Sequence, residues 1–156
     1  MKWHHALALS CLAFSLNTPV AQAADLVDAS NPEMIRNIAS GFGSAKLDTD
    51  NSGDPMVIGR IAGTRYSVYF YGCKNNTNCT DLLMRASWNS SNPANSMEHM
   101  NRWNQKKRYG KAFLDKDGDP TIELVVNLRY GVSYNNIEDT FDWWEKAIKD
   151  FEEYLH

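Results

Sequence analysis

Tyr66-Ser67-Val68-Tyr69-Phe70-Tyr71 and Leu82-Leu83-Met84-Arg85-Ala86-Ser87-Trp88 decide the fold. In the first run Tyr66, Val68 and Phe70 share one side, while Ser67, Tyr69 and Tyr71 share the other. In the second, Leu82, Met84, Ala86 and Trp88 oppose Leu83, Arg85 and Ser87. Successive Cβ atoms leave opposite faces of a strand, so this period of two predicts strands with one buried side. Cys73 and Cys79 stand at the inner ends of the pair, around the polar run Lys74-Asn75-Asn76-Thr77-Asn78. The two runs therefore read as a hairpin. Upstream, Met56 to Ala62 is a third strand, entered through Ser52-Gly53-Asp54-Pro55. Downstream, Tyr109 to Leu114, the turn Asp115-Lys116-Asp117-Gly118 and Thr121 to Tyr130 give a second hairpin. Its long strand points Ile122, Leu124, Val126, Leu128 and Tyr130 inward, and Glu123, Asn127 and Arg129 outward.

Helices flank these strands. Asn31-Pro32-Glu33 supplies a cap, a first-turn proline and an acid at the positive end of the helix dipole. Met34, Ile35, Ile38, Ala39 and Phe42 then share a face, and Gly41 and Gly43 end it. A second helix is predicted from Asn95 to Arg108, with Asn95 and Glu98 as its capping box and Met97, Met100 and Trp103 with Asn104 as its inward stripe. The third begins at Asn135 or Asn136 and carries Ile137, Phe141, Trp144, Ile148, Phe151 and Leu155 at steps of three and four. Trp143, Ala147 and Tyr154 form a second row beside that seam. The fold class is α+β: an antiparallel sheet with helices packed on one face, in the order α-β-β-β-α-β-β-α.

The 156 residues suit one domain, and a 12% aromatic content with near-balanced charge excludes a disordered chain. With 16 Lys+Arg against 19 Asp+Glu there is no electropositive surplus for nucleic acid. Residues 1–23 read as a cleaved Sec-type signal peptide: Lys2, the apolar run Ala6 to Leu16, and Ala21-Gln22-Ala23 before the cut. That run is too short for stable membrane insertion. Residues 24–30 follow as a loose lead-in and 31–156 as the folded domain. The expected location is the periplasm or outside the cell, and Cys11 leaves with the leader. Cys73 and Cys79 then remain as an even pair, expected to form a structural disulfide that stabilises by roughly 2 kcal/mol in the chain-entropy account.

Asn101-Arg102-Trp103-Asn104, followed by Arg108-Tyr109-Gly110-Lys111-Ala112-Phe113-Leu114-Asp115, resembles the central block of the YbjN-domain family of bacterial sensory transduction regulators. Gly118-Asp119-Pro120, the strand to Asn127-Leu128, the Gly131-Val132-Ser133 step and the aromatic terminal helix continue the resemblance, from Asn31 to Leu155. It implies a fold like that of type III secretion chaperones and a regulatory role. It supplies no catalytic residues.

The chemistry-bearing residues point the same way. Two histidines outside the leader, His99 and His156, are too few for a histidine metal cage or relay. Asp48-Thr49-Asp50-Asn51-Ser52-Gly53 begins like a calcium loop, but its twelfth position is Gly59 where a bidentate Glu is needed, so it reads as a polar connection. Asp115, Asp117 and Asp119 read as a tight turn. No cofactor or metal is expected. The surplus is aromatic: Trp143 and Tyr154 beside the helix seam, and Tyr69 and Tyr71 on the less buried strand side, are the candidate contacts for another protein or for self-association as a homodimer. The expected function is an exported, non-enzymatic protein-binding module, chaperone-like or a regulator of envelope signalling or stress. Two alternatives use other residues: a small hydrolase built on Glu123 and a turn aspartate, and a thiol-disulfide protein built on Cys73 and Cys79.

Overall fold

In the computed structural model, which describes residues 26–89, 92 and 94–156, three helices back a six-stranded antiparallel sheet. The chain runs α1 (Pro32–Ser40), β1 (Ser44–Thr49), β2 (Pro55–Ile61), β3 (Thr64–Tyr71), β4 (Asp81–Ser87), α2 (Met97–Lys106), β5 (Lys111–Leu114), β6 (Pro120–Asn127) and α3 (Tyr134–Leu155). The sheet order is β1-β2-β3-β4-β6-β5. The α+β class stands, with one strand more than the sequence order contained. That strand is β1, which takes in Asp48 and Thr49 of the stretch expected to be a polar connection. Only Ala45 and Leu47 of its six residues turn toward the core, so its alternation is too short to register as a pattern.

Alternate residues fill one face of the sheet. Val57 lies opposite Val68, Val68 opposite Met84, and Met84 opposite Leu124. In the adjoining row Gly59 faces Tyr66, Tyr66 faces Ala86, and Ala86 faces Ile122. Helix α3 lies over these rows: Trp144 meets Tyr66 edge-on at 6.4 Å, Phe151 meets Trp88 at 5.1 Å and Trp103 at 4.9 Å, and Phe141 stacks on Phe42 at 5.6 Å. Each side chain of this size stabilises by about 1.5–3 kcal/mol when fully buried, which makes this layer the main source of cohesion.

The helix ends are set by side chains. Asn31 caps α1 as expected, its side chain accepting from the Met34 amide. The other two caps lie one to three residues from the expected positions, at Ser96 for α2 and Ser133 for α3. A hydroxyl there accepts the third helical amide, from His99 and Asn136 respectively. Strand β6 stops at Asn127, and Tyr130, expected inward, is 87% exposed in the turn beyond it. The lead-in is docked from Val27 onward: Val27 bridges Val132, and Val27 and Ala29 are buried. The expected signal peptide lies outside the described residues.

Two hairpin turns are built alike. Asp50-Asn51-Ser52-Gly53-Asp54-Pro55 leads into β2, and Asp115-Lys116-Asp117-Gly118-Asp119-Pro120 leads into β6. In each, the first aspartate's Oδ1 accepts the amides two and four residues on, and the glycine sits at φ near +85°. The calcium-like spacing is the signature of this turn, and among the described residues no acidic or histidine cluster could hold a metal ion.

Candidate functional site

Among the described residues, helices cover one side of the sheet and leave the other open. Register places Lys46, Ile58, Ser67, Arg85, Glu123 and Lys111 in one cross-strand row of that side. Beside it run Asp48, Met56, Tyr69, Leu83 and Val125. Tyr71 and Val125 are 48% and 69% exposed. On the other flank Arg60 stands directly opposite Arg65. A trough of about 420 Å³ opens between Ser44, Lys46, Ile58, Arg60 and Arg65, and a cleft of about 290 Å³ continues from Arg65 to Tyr69, Arg85 and Ser87.

Glu123 is the buried acid of this face. Arg85 donates to its Oε1 from Nε at 2.7 Å and also from Nη2, while Lys111 reaches Oε2 at 2.8 Å. Burial pushes the carboxyl up, but the two cationic donors outweigh it and hold it below the usual carboxylate range. A general acid needs the opposite shift. Neither the trough nor the cleft is lined by Glu123 or by a turn aspartate, so the geometry expected of a hydrolase is not assembled there.

The four candidate aromatics lie in two different layers. Tyr69 and Tyr71 belong to the open sheet face, where Arg85 lies 5.7 Å above the Tyr69 ring. Trp143 and Tyr154 belong to the helical layer and are engaged inside it. Tyr154 stacks on His99 at 4.1 Å, and its hydroxyl donates to the His99 carbonyl at 2.9 Å, joining α3 to α2. Trp143 stacks on Tyr109 at 4.4 Å, with Arg108 lying 5.7 Å from both rings. Nearby, Lys107 and then Lys146 hold the Asp150 carboxyl below the usual range. Cys73 and Cys79 are joined in a disulfide within the β3–β4 turn.

A family described as "Putative bacterial sensory transduction regulator", YbjN, matches residues 31–156, which is most of the chain. The chain belongs to the YbjN family. It is similar to the crystal structure of YbjN from E. coli, described as a putative transcription regulator, with a TM-score of 0.50 and 15% identity over 79% of this chain and 85% of that one. At that identity the likeness is one of fold. No curated protein matches.

Two features of this YbjN-family chain escape the reading of the sequence. The first is the cation set Lys46, Arg60 and Arg65. Its signal was present: once Tyr66 points inward, Arg65 must point outward, and a two-residue turn at Ala62-Gly63 puts Arg60 across from it. The second is the role of Asn104, expected on the inward stripe of α2: its side chain accepts the Ala112 amide at 2.7 Å and donates to the Ala112 carbonyl at 2.9 Å. It pairs with the free edge of β5 as a neighbouring strand would.

Proposed function

We propose that the chain is an exported, disulfide-stapled, non-enzymatic binding module, chaperone-like or regulatory in the cell envelope, that engages another protein through the open face of its sheet. The observation that carries this reading is the division of labour between the layers. On the helical side Trp143 and Tyr154 are engaged in internal stacks, whereas the sheet side leaves Tyr71 and Val125 exposed next to Tyr69, Leu83 and Met56 in adjoining cross-strand positions. A half-apolar, half-charged surface on a rigid support has the composition of a protein contact, and recognition requires no reacting group. Family membership supports a regulatory role, and the signal-like residues 1–23 support export.

A photo-crosslinking amino acid placed at Tyr71 or Val125 in intact cells tests the surface. We expect discrete adducts from these positions and none from Glu138 on α3. Adducts from Glu138 alone overturn the assignment to the sheet. An adduct of twice the chain mass identifies self-association as the contact. Mass spectrometry of the envelope fraction tests export: a chain beginning at Ala24 is expected, and an intact Met1 form in the cytoplasm overturns it.

A further inference from the structure

The open face carries two sets of facing cations, and only one is neutralised from within. Arg85 and Lys111 lie opposite Glu123 from either side, and its carboxylate accepts from both. Arg60 and Arg65 also face each other directly, across β2 and β3, but no carboxylate pairs with either among the described residues. Among the described residues, the Arg60 side chain donates to the Gly63 carbonyl at 2.8 Å. Lys46, on the third side of the trough, takes Asp48 at 3.3 Å, and that carboxylate, held below its usual range by the Thr49 amide first and Lys46 next, also feels Arg65 from farther off. Like charges directly across a strand pair destabilise a sheet, and the chain as a whole is acidic, with a formal charge of −3. Five cations, Lys46, Arg60, Arg65, Arg85 and Lys111, stand on this face against that background, while the outward side of α3 carries Glu138, Asp139, Asp142 and Glu145 beside Lys146 and Lys149.

We propose that the missing carboxylate is supplied by the partner: an extended acidic segment of another protein lies across the trough with a Glu or Asp side chain between Arg60 and Arg65. Its apolar neighbours rest on Ile58, half-buried in the trough, and on Met56, half-buried in the next cross-strand row. The chemistry is that of Glu123 repeated in trans, a planar guanidinium offering paired donors to a carboxylate. This inference rests on the sheet-face reading of function and adds the sign and class of the occupant.

The test uses the full chain and a labelled twelve-residue peptide of alternating Glu and Val, followed by fluorescence anisotropy, beside the same peptide with Gln for Glu. We expect the Glu peptide to bind at least about tenfold more tightly than the Gln peptide, with affinity falling as salt rises. Arg65→Glu should weaken the Glu peptide by about tenfold or more, while Lys106→Glu, an equal charge change on α2, should leave it within about twofold. Arg65→Glu should also raise the thermal midpoint, because it turns a like-charge cross-strand pair into an opposite-charge one. Loss of binding with a gain in stability is not the behaviour of a misfolded variant. Equal binding of the two peptides, both abolished by Tyr69→Ser, overturns the acidic occupant and leaves the sheet-face reading standing. Binding of the Glu peptide that Lys106→Glu weakens and Arg65→Glu does not overturns both. A lowered midpoint for Arg65→Glu overturns the argument that the arginine pair is uncompensated.

Discussion

Replacing Tyr66 with Phe should stabilise this protein, and the margin should widen in alkali. Tyr66 is 1% exposed, wedged between the backbone of Gly59 and the edge of Trp144, and its hydroxyl finds no hydrogen-bond partner among the described residues. A buried hydroxyl without a partner costs about 1–3 kcal/mol in lost hydration, against a few tenths for the contacts its oxygen makes. The Phe variant should therefore be about 1 kcal/mol more stable at pH 7, which for a domain of this size raises the midpoint by about 3 °C. Burial also pushes the Tyr66 phenol well above its ordinary value near 10. In the pH range above 10 the unfolded phenol ionises while the native one stays protonated. The unfolded state then binds fewer protons than the native state, and stability falls as pH rises. The advantage of Phe over Tyr should grow by about 1.4 kcal/mol per pH unit from there. Urea denaturation followed by tryptophan fluorescence from pH 7 to 11 reads both quantities. A Phe variant less stable at pH 7, or a difference flat across pH 10, means that the hydroxyl has a partner and refutes the reasoning.

Asn104→Ala removes two hydrogen bonds from the β5 edge and should cost about 2 kcal/mol, with faster amide exchange at Ala112; unchanged exchange there would show that the edge is held by other contacts. Ala62 holds φ of +51° in the two-residue turn before Gly63, so Ala62→Asn should stabilise by about 0.5 kcal/mol and Ala62→Val should destabilise by at least about 1 kcal/mol, read as thermal midpoints. Because the Glu123 carboxyl is held low in the native state, its stabilising effect is complete above its unfolded pKa near 4.5 and is lost as pH falls through the native value. Glu123→Gln should therefore lower stability by about 1 kcal/mol at pH 7 and flatten the acid limb of the stability curve; parallel acid limbs would show that the two cations do not act through this carboxylate.

What the sequence disclosed and what it hid follow one physical line. Strands with a buried side announce themselves by alternation, so β2, β3, β4 and β6 are visible, as is the aromatic seam of α3. Strand β1 is not, because an edge strand over a short helix buries little: Ala45 and Leu47 alone face the core. The α2 and α3 caps differ from the expected residues because Asn and Ser compete for the same role, and at Asn95-Ser96 only the three-dimensional path of the chain decides between them. The aromatics beside the α3 seam illustrate a sharper limit. Periodicity puts Trp143 and Tyr154 on a second row, but whether that row meets solvent depends on where α2 ends and how Tyr109 leaves it. The charge pattern of the open face was readable in principle from strand parity, yet the pairing of Arg60 with Arg65 needed the register of a turn whose first residue is Ala rather than the usual Asn or Gly.

The position of the disulfide bears on what the open face can do. Cys73 and Cys79 close the far end of the β3–β4 hairpin, and within that loop Asn76 donates to the Ser52 carbonyl at 3.1 Å and to Asp54 at 2.9 Å. The Asn76 bonds thus tie the stapled β3–β4 turn to the β1–β2 turn, holding together one end of four strands. Arg60 and Arg65 flank the opposite end, about 20 Å away along β3 at the rise of an extended chain. Between them lie Val57, Val68, Phe70 and Met84, each fully buried beneath the face. A surface pinned at one end by a covalent bond and backed throughout by close-packed side chains loses little conformational freedom on binding, so more of the contact energy is retained as affinity. Reduction of the disulfide should accordingly loosen the Tyr71 end of the face, lowering stability by roughly 2 kcal/mol, while leaving recognition at the arginine end intact. A redox switch on binding requires the reverse arrangement, with the cysteines beside the charged trough.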